Sequence, residues 1–302
     1  MLFHPDRLSF GIVLPAQTRT HADVQFDAQL GIAKHADELG LDALWVRDVP
    51  LNSESYPDPI GHADPWVFLG ALAATTSSIS LATGAIVLPL RHPLHIAKAA
   101  LSAAALSKGR LVLGLGSGDR PTEYDVFGRD IENRKSLFQT NWERLAAALR
   151  PDQAVIDENG RARDEFAIRP ALQQTSIPMV AVGSSSQSLE WIARHASAWM
   201  TYYRPLSVQK DRLALWRNAQ TKVTADFRGF GQSMVLELLD KSDAPYEDIN
   251  LGGRTGRRGL IDTLSAMREA GIHHVAFNLT SEARPPHEVM QEIAQDVIPA
   301  LR

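Results

Sequence analysis

Eight times along this chain a short apolar run is followed by a segment with helical spacing. Strict strand–helix alternation leaves few choices. Consecutive strands joined by helices are parallel, and their crossovers are right-handed. Eight such units in 302 residues fit a closed (β/α)8 TIM barrel. An open doubly wound sheet would carry fewer strands and a phosphate fingerprint after the first one. Here the first strand leaves into Leu-Pro-Ala-Gln-Thr, with no glycine cluster.

The strands are expected at 10–14, 41–46, 78–85, 111–116, 177–182, 198–202, 234–239 and 274–279. The helices are expected at 26–39, 65–76, 93–106, 134–149, 186–195, 207–227, 259–270 and 286–297. Asp64-Pro65 reads as an N-cap followed by proline at the first helical position, and Gly40 and Gly271 as helix stops. Three polar stretches, 49–64, 150–176 and 240–258, read as insertions after strands two, four and seven, within one domain spanning 1–302. The first and third are lid candidates.

Composition narrows the function classes. There is no cysteine, which excludes disulfides, thiolate metal sites and cysteine nucleophiles. Net charge is −4 and no basic stripe appears, so nucleic acid and anionic membrane are poor partners. No apolar stretch approaches the ~20 residues of a membrane span, and the N-terminus lacks a signal pattern, so a soluble cytoplasmic protein is expected. His-Glu-x-x-His and other metal-ligand spacings do not occur.

In both α/β architectures ligands bind at the carboxyl ends of strands, and the chemistry-bearing residues fall there. Gly114-Leu115-Gly116-Ser117-Gly118 ends strand four, but Asp119 and Pro121 follow instead of an immediate helix, so this is no dinucleotide fingerprint. Gly116 and Gly118 either permit a tight rim turn or let backbone N–H groups approach a ligand. Gly183, Ser184, Ser185 and Ser186 join strand five to its helix, where free N–H groups, hydroxyls and the helix dipole suit a phosphate. Arg91-His92-Pro93 follows strand three; either Arg91 grips an anion and His92, which titrates near neutrality, serves as acid or base, or Arg91 pairs with a surface acid and His92 stacks on a neighbour. Arg47-Asp48 leaves strand two, and Tyr202-Tyr203-Arg204 leaves strand six, towards the same mouth. Gly252-Gly253-Arg254-Thr255-Gly256-Arg257-Arg258 is either a second phosphate loop or a flexible basic loop. His273-His274 begins strand eight on the stability face and is read as structural.

Leu-Asp-Ala-Leu-Trp-Val at 41–46, the long 64–119 stretch, and Glu-Tyr-Asp-Val-Phe-Gly at 123–128 together resemble the bacterial luciferase-like monooxygenase family. The likeness covers roughly the first half and continues, more weakly, through 180–199 and 270–279. It implies a TIM barrel, a homodimer built on the helices after strands two and three, and reduced FMN, or the deazaflavin F420 in one branch. It places Thr83, Gly84, Ala85 and Ile86 under the flavin ring, often with a non-proline cis peptide. It places Ser117, Gly118 and Gly183 to Ser186 on the phosphate tail, with Gly116 at the same exit. A small organic substrate, molecular oxygen and a separate flavin reductase are the implied partners. Arg91, His92, Asp48 and Tyr124 are the polar side chains expected to be catalytic. Two departures stand out. Asp48 replaces the histidine of luciferase at the exit of strand two, and Ser117 replaces its phosphate-binding arginine. Arg120 or the 254–258 cluster is the expected substitute cation. F420-dependent hydride transfer is the runner-up, and a non-catalytic flavin-binding protein the third possibility.

Overall fold

Side chains of a parallel strand alternate between two faces, and here the two faces belong to two different cores. The computed structural model describes residues 2–17, 23–54, 56, 58, 60–171, 176–279 and 284–301. Its elements, in chain order, are β1 (Ser9–Leu14), α1 (Phe26–Glu38), β2 (Ala43–Val46), α2 (Pro65–Thr75), β3 (Ser80–Thr83), β4 (Ile86–Val87), α3 (Pro93–Leu106), β5 (Leu111–Gly116), α4 (Pro121–Val126) and α5 (Arg134–Ala148). There follow β6 (Met179–Val182), α6 (Leu189–His195), β7 (Ala198–Tyr202), α7 (Leu206–Val223), β8 (Gly229–Leu238), β9 (Glu247–Ile249), β10 (Gly252–Thr255), α8 (Arg257–Ala270), β11 (His274–Asn278), α9 (Pro286–Glu292) and α10 (Ile298–Ala300).

Strands β1, β2, β3, β5, β6, β7, β8 and β11 pair in that order, all parallel, and β11 closes the ring on both β8 and β1. The expected TIM barrel is therefore present. Phe10, Ile12 and Leu14 of β1 join the larger core between barrel and helices. Val13 joins the barrel interior with Phe3, Ala43, Trp45, Ala82, Val112, Val180, Met200 and Ala276. Small residues dominate that interior because eight strands leave room for only a few large side chains. Among the described residues, no helix is long and apolar enough to cross a membrane.

Local signals explain most element ends. Asp64 caps α2 by accepting from Trp66 N at 2.9 Å and Val67 N at 3.2 Å. Gly271 ends α8 at φ 92°, a left-handed conformation that favours glycine. Two regions near the carboxyl-terminal half of the ring differ most from the sequence reading, and the short helix α4 was not expected. β8 begins at Gly229, upstream of the expected 234, because pairing with β7 and β11 holds a Gly-Phe-Gly-Gln run of weak strand preference extended. The expected loop at 252–258 contains β10, which pairs parallel with the second half of β8, and β9 pairs antiparallel with β10. The 240–258 insertion thus widens the sheet and is not a free lid.

The barrel floor carries a polar line. Trp45 Nε1 donates to His274 Nε2 at 2.9 Å, and His274 Nδ1 lies 2.7 Å from Ser9 Oγ. Because Nε2 accepts, the proton sits on Nδ1 and the ring is neutral. Burial pushes the His274 pKa down to about 3, against a smaller upward pull from hydrogen bonding with Ser9. The unfolded chain takes up a proton at this ring near pH 6.5, whereas the folded chain does not until about pH 3. Stability is therefore expected to fall as pH drops from 6.5, by roughly 2 kcal/mol at pH 5. Urea unfolding at pH 7 and pH 5 tests this, and His274→Gln should flatten the difference. Equal pH slopes in the two proteins would refute it. At the same end of the barrel Asp37 accepts from the backbone and hydroxyls of Ser77 and Ser78 and from Ile79 N. Burial there opposes its charge, yet these bonds hold the carboxyl well below its usual range.

Candidate functional site

The exits of β3 and β5 are locked together by one side chain. Thr83 Oγ1 donates to Gly114 O at 2.7 Å and accepts from Gly114 N at 2.8 Å. Thr83 is fully buried, so its hydroxyl is used within the barrel and only its backbone can face a ligand. The next peptide bond, Gly84–Ala85, is cis. The Trp45 indole lies against Gly84, where a Cβ would stand 3.1 Å from Trp45 Cε3. A Cβ on Gly116 would come 3.2 Å from Ala85 Cβ. Glycine at 116 therefore keeps open the space beside the Gly84–Ala85 peptide. Ile86 pairs with Leu115 and is buried outward, so it too offers backbone alone.

The exits of β5 and β6 meet in a second contact. Ser186 Oγ donates to Ser117 Oγ at 3.2 Å. Ser185 Oγ lies 3.1 Å from Val182 O and 3.4 Å from Leu115 O, and Ser184 Oγ accepts from Ser186 N at 3.4 Å. Gly183, Ser185 and Ser186 have φ of 68°, 48° and 56°, and Gly118 has 75°. Successive left-handed residues turn backbone N–H groups into a concavity suited to an anion. α6 begins at Leu189, later than expected, and is capped by Ser188, whose Oγ accepts from Trp191 N at 3.2 Å. The cap and the Ser184–186 hydroxyls are thus separate, which leaves the latter for another role.

The four polar residues expected to be catalytic are not gathered at one point. Asp48 and Arg91 bind each other: Arg91 Nε donates to Asp48 Oδ2 at 2.9 Å and Nη2 to Oδ1 at 2.8 Å. Asp48 also accepts from Val87 N at 3.1 Å, and its side chain is 1% exposed. Burial opposes the Arg91 charge, but Asp48 and then Asp64 more than offset it and raise its pKa. The pair ties the exit of β2 to the turn before α3. His92 is exposed and caps α3, its Nδ1 accepting from Leu94 N at 3.2 Å. Partial burial and then His95 lower its pKa, consistent with a neutral accepting ring. Tyr124 is fully buried and its hydroxyl donates to Ser117 O. Burial raises its pKa to about 12, with Arg134 pulling the other way. In this structure Tyr124 supports the β5 exit from beneath and does not face the mouth.

The expected substitute cations are also engaged. Arg120 donates to Leu51 O at 2.9 Å and lies 3.5 Å from Asp58. Asp58 further pairs with Arg47 at 2.8 Å and His62 at 3.3 Å. Burial works against the Asp58 carboxylate, but His62 and Arg47 bring its pKa down to about 2. These contacts fasten the described part of the 49–64 insertion to α4. Arg254 pairs with Glu237 and Glu247, and Arg257 with Asp296 and Glu292, so these two arginines are already engaged, and Gly252–Thr255 is strand β10 and not a loop. Tyr203 turns away from the mouth; its hydroxyl meets Tyr246 at 2.6 Å and Asp248 at 3.1 Å beside an outer groove of about 350 Å3. Tyr202 does keep an inward position and is 51% exposed.

Three residues escape the sequence reading. Trp45 and Asn278 are inward-facing by simple alternation, two positions beyond Ala43 and Ala276, and that spacing was the signal. Arg134, at the start of α5, is exposed and acts electrostatically on Tyr124 beneath Ser117. Its effect on Tyr124 is visible only in the fold.

Comparison with known proteins agrees with the barrel fold. An uncharacterized protein of Mycobacterium tuberculosis is 32% identical over 149 residues, 49% of this chain and 52% of that protein. The chain thus spans about half the length of that relative. The 4-hydroxyprotoasukamycin monooxygenase of Streptomyces nodosus subsp. asukaensis is 26% identical over 262 residues, 81% of this chain and 68% of that one. The solved structure of an F420-dependent secondary alcohol dehydrogenase in complex with an F420-acetone adduct superposes with a TM-score of 0.79 at 15% identity, over 98% of this chain and 99% of that one. The family model for luciferase-like monooxygenases matches residues 8–235, and the chain belongs to that family of flavin- or F420-dependent oxidoreductases.

Proposed function

We propose that this chain is a monooxygenase that takes up reduced FMN from a separate reductase and acts on a small organic substrate with O2. The observation that carries the reading is the Ser117–Ser186 contact, which joins two anion-suited turns into one corner beside an open glycine-lined wall. In this reading the backbone of Thr83, Gly84, Ala85 and Ile86 lies under the flavin ring. Gly116 and Gly118 leave room for it. Ser117 and Gly183 to Ser186 hold the phosphate, and Arg134 supplies the charge that Arg120 cannot. The bound flavin would deliver electrons to O2; the chain's own share is to position it and keep water out. The apolar floor of Trp45, Ala82 and Val112 serves that exclusion. A homodimer through α2 and α3 is part of the proposal, with Val67 and Leu106 exposed on those helices.

F420-dependent hydride transfer is the second reading, favoured by the relationship to the F420-dependent dehydrogenase fold. Against it, Arg254 and Arg257 are ion-paired and offer no ready groove for a polyanionic tail. Titration with FMN, FMNH2, F420 and riboflavin separates the readings. Ser186→Asp places a carboxylate in the phosphate corner and is expected to weaken FMN at least tenfold. Riboflavin, lacking the phosphate, should change less than about twofold. Arg134→Ala should show the same pattern at smaller size. If wild-type protein binds neither FMN nor FMNH2, the monooxygenase reading fails.

A further inference from the structure

Seven buried side-chain polar atoms lack a hydrogen-bond partner among the described residues, and the one carried by a barrel strand is Asn278 Oδ1. Its setting follows from register. Along β11, His274 and Ala276 face the barrel interior. Asn278 comes two residues later, so it faces inward at the carboxyl end. It pairs with Val235 on β8, and Phe277 pairs with Ile12 on β1, so Val13 is its neighbour on that side. Val13 belongs to the apolar interior and Val235 is half-buried. The Ser117–Ser186 corner sits on β5 and β6, across the ring from β11. The mouth therefore has two unlike halves: a glycine- and serine-lined corner, and a wall of Val13, Val235 and Ala276 that holds the unsatisfied carboxamide oxygen, with Ser233 one inward position below Val235 and Glu237 one above it.

A buried acceptor without a partner is unfavourable, and native proteins seldom keep one without a reason. We infer that Asn278 is the substrate-anchoring residue, accepting a hydrogen bond from a neutral hydroxyl on an otherwise apolar organic molecule. The inference deepens the reading above, since it names the polar group of the substrate in that same mouth. A neutral donor fits because Val13, Val235 and Ala276 carry no charge and Glu237, the next inward residue of β8, is already paired with Arg254 at 2.6 Å, and a buried ion without a partner is strongly disfavoured. The carboxamide also carries an N–H donor, so the same residue can hold the carbonyl form of such a molecule. Other orphan atoms, on His35, Gln209 and Trp216, belong to helices α1 and α7 outside the ring.

The test uses cyclohexanol and methylcyclohexane, which match in size and differ in the hydroxyl. Binding to the full chain is measured by ligand-observed NMR, with and without FMN. Wild-type protein should prefer cyclohexanol by about tenfold, the worth of one neutral hydrogen bond. Asn278→Leu should abolish the preference while leaving FMN affinity within about twofold. Asn278→Ala provides the same comparison should the leucine variant fold poorly. A preference that survives in both variants, equal binding of the two probes to wild type, or binding of neither probe overturns the inference. Loss of FMN binding in wild type strikes the flavin reading instead, and the probe preference in flavin-free protein still reads Asn278.

Discussion

Gly114→Ala is expected to lower stability by at least about 3 kcal/mol. A Cβ at this position would stand 1.8 Å from Thr83 O and 3.0 Å from Thr83 C. Both are backbone atoms, so no rotamer change relieves the overlap. β3 and β5 would have to separate, and both hydrogen bonds of Thr83 Oγ1 with Gly114 would be lost. For a chain of this size the loss corresponds to roughly 5 °C in Tm. Because the same bonds set the backbone of Thr83 and Gly84, FMN affinity should fall as well. Gly116→Ala is the informative control. Its Cβ would meet Ala85 Cβ at 3.2 Å and Val182 O at 3.6 Å, contacts that small shifts absorb. That variant should stay within about 1 kcal/mol of wild type yet bind flavin more weakly, since its methyl enters the open wall. Thermal unfolding and flavin titration of both proteins give the comparison. A Gly114→Ala protein as stable as wild type would sink the argument.

Asp48→Ala is the second large effect, with an expected cost of about 2–3 kcal/mol. Removing one partner of a fully buried ion pair costs about 3–5 kcal/mol. The discount applies because Arg91 is 27% exposed and keeps Asp64 at 3.5 Å. Val87 N would also lose its acceptor. Asp48→Asn retains that acceptor and should recover about 1 kcal/mol. Adding Arg91→Met to Asp48→Ala should recover part of the loss, because no unpaired cation then remains. Urea unfolding of the single and double variants measures this. If Asp48→Ala were neutral, the pair would be an ornament of the surface, and the turn before α3 would be held by other contacts.

The order of apolar runs and helical segments was enough to read the barrel. Parallel pairing and handedness follow from alternation alone, so each of the eight ring strands was found, with β8 starting early. Sequence also pointed to the carboxyl ends of β5 and β6 through their glycine and serine clusters, and the family resemblance added the exit of β3. What it misjudged were the partners of charged side chains. Asp48 and Arg91 lie 43 positions apart, and nothing local shows that each consumes the other. Tyr124 looked available because helical periodicity was too short to reveal α4, which buries it. The 252–258 run looked like a loop because glycines and arginines are poor strand formers; only pairing with β8 makes it β10.

Sequence by itself determined the fold and pointed to one end of the barrel for the site, because strand period, helix period and turn chemistry are local properties. The tertiary structure alone decided which polar atoms are spent and which are free. Thr83, Asp48, Arg91 and Arg120 are satisfied by partners distant in sequence and Tyr124 by Ser117 O, seven positions away, whereas Asn278 Oδ1 is buried with no partner among the described residues. A hydrogen bond depends on positions within about 3 Å, and those positions exist only once the ring has closed.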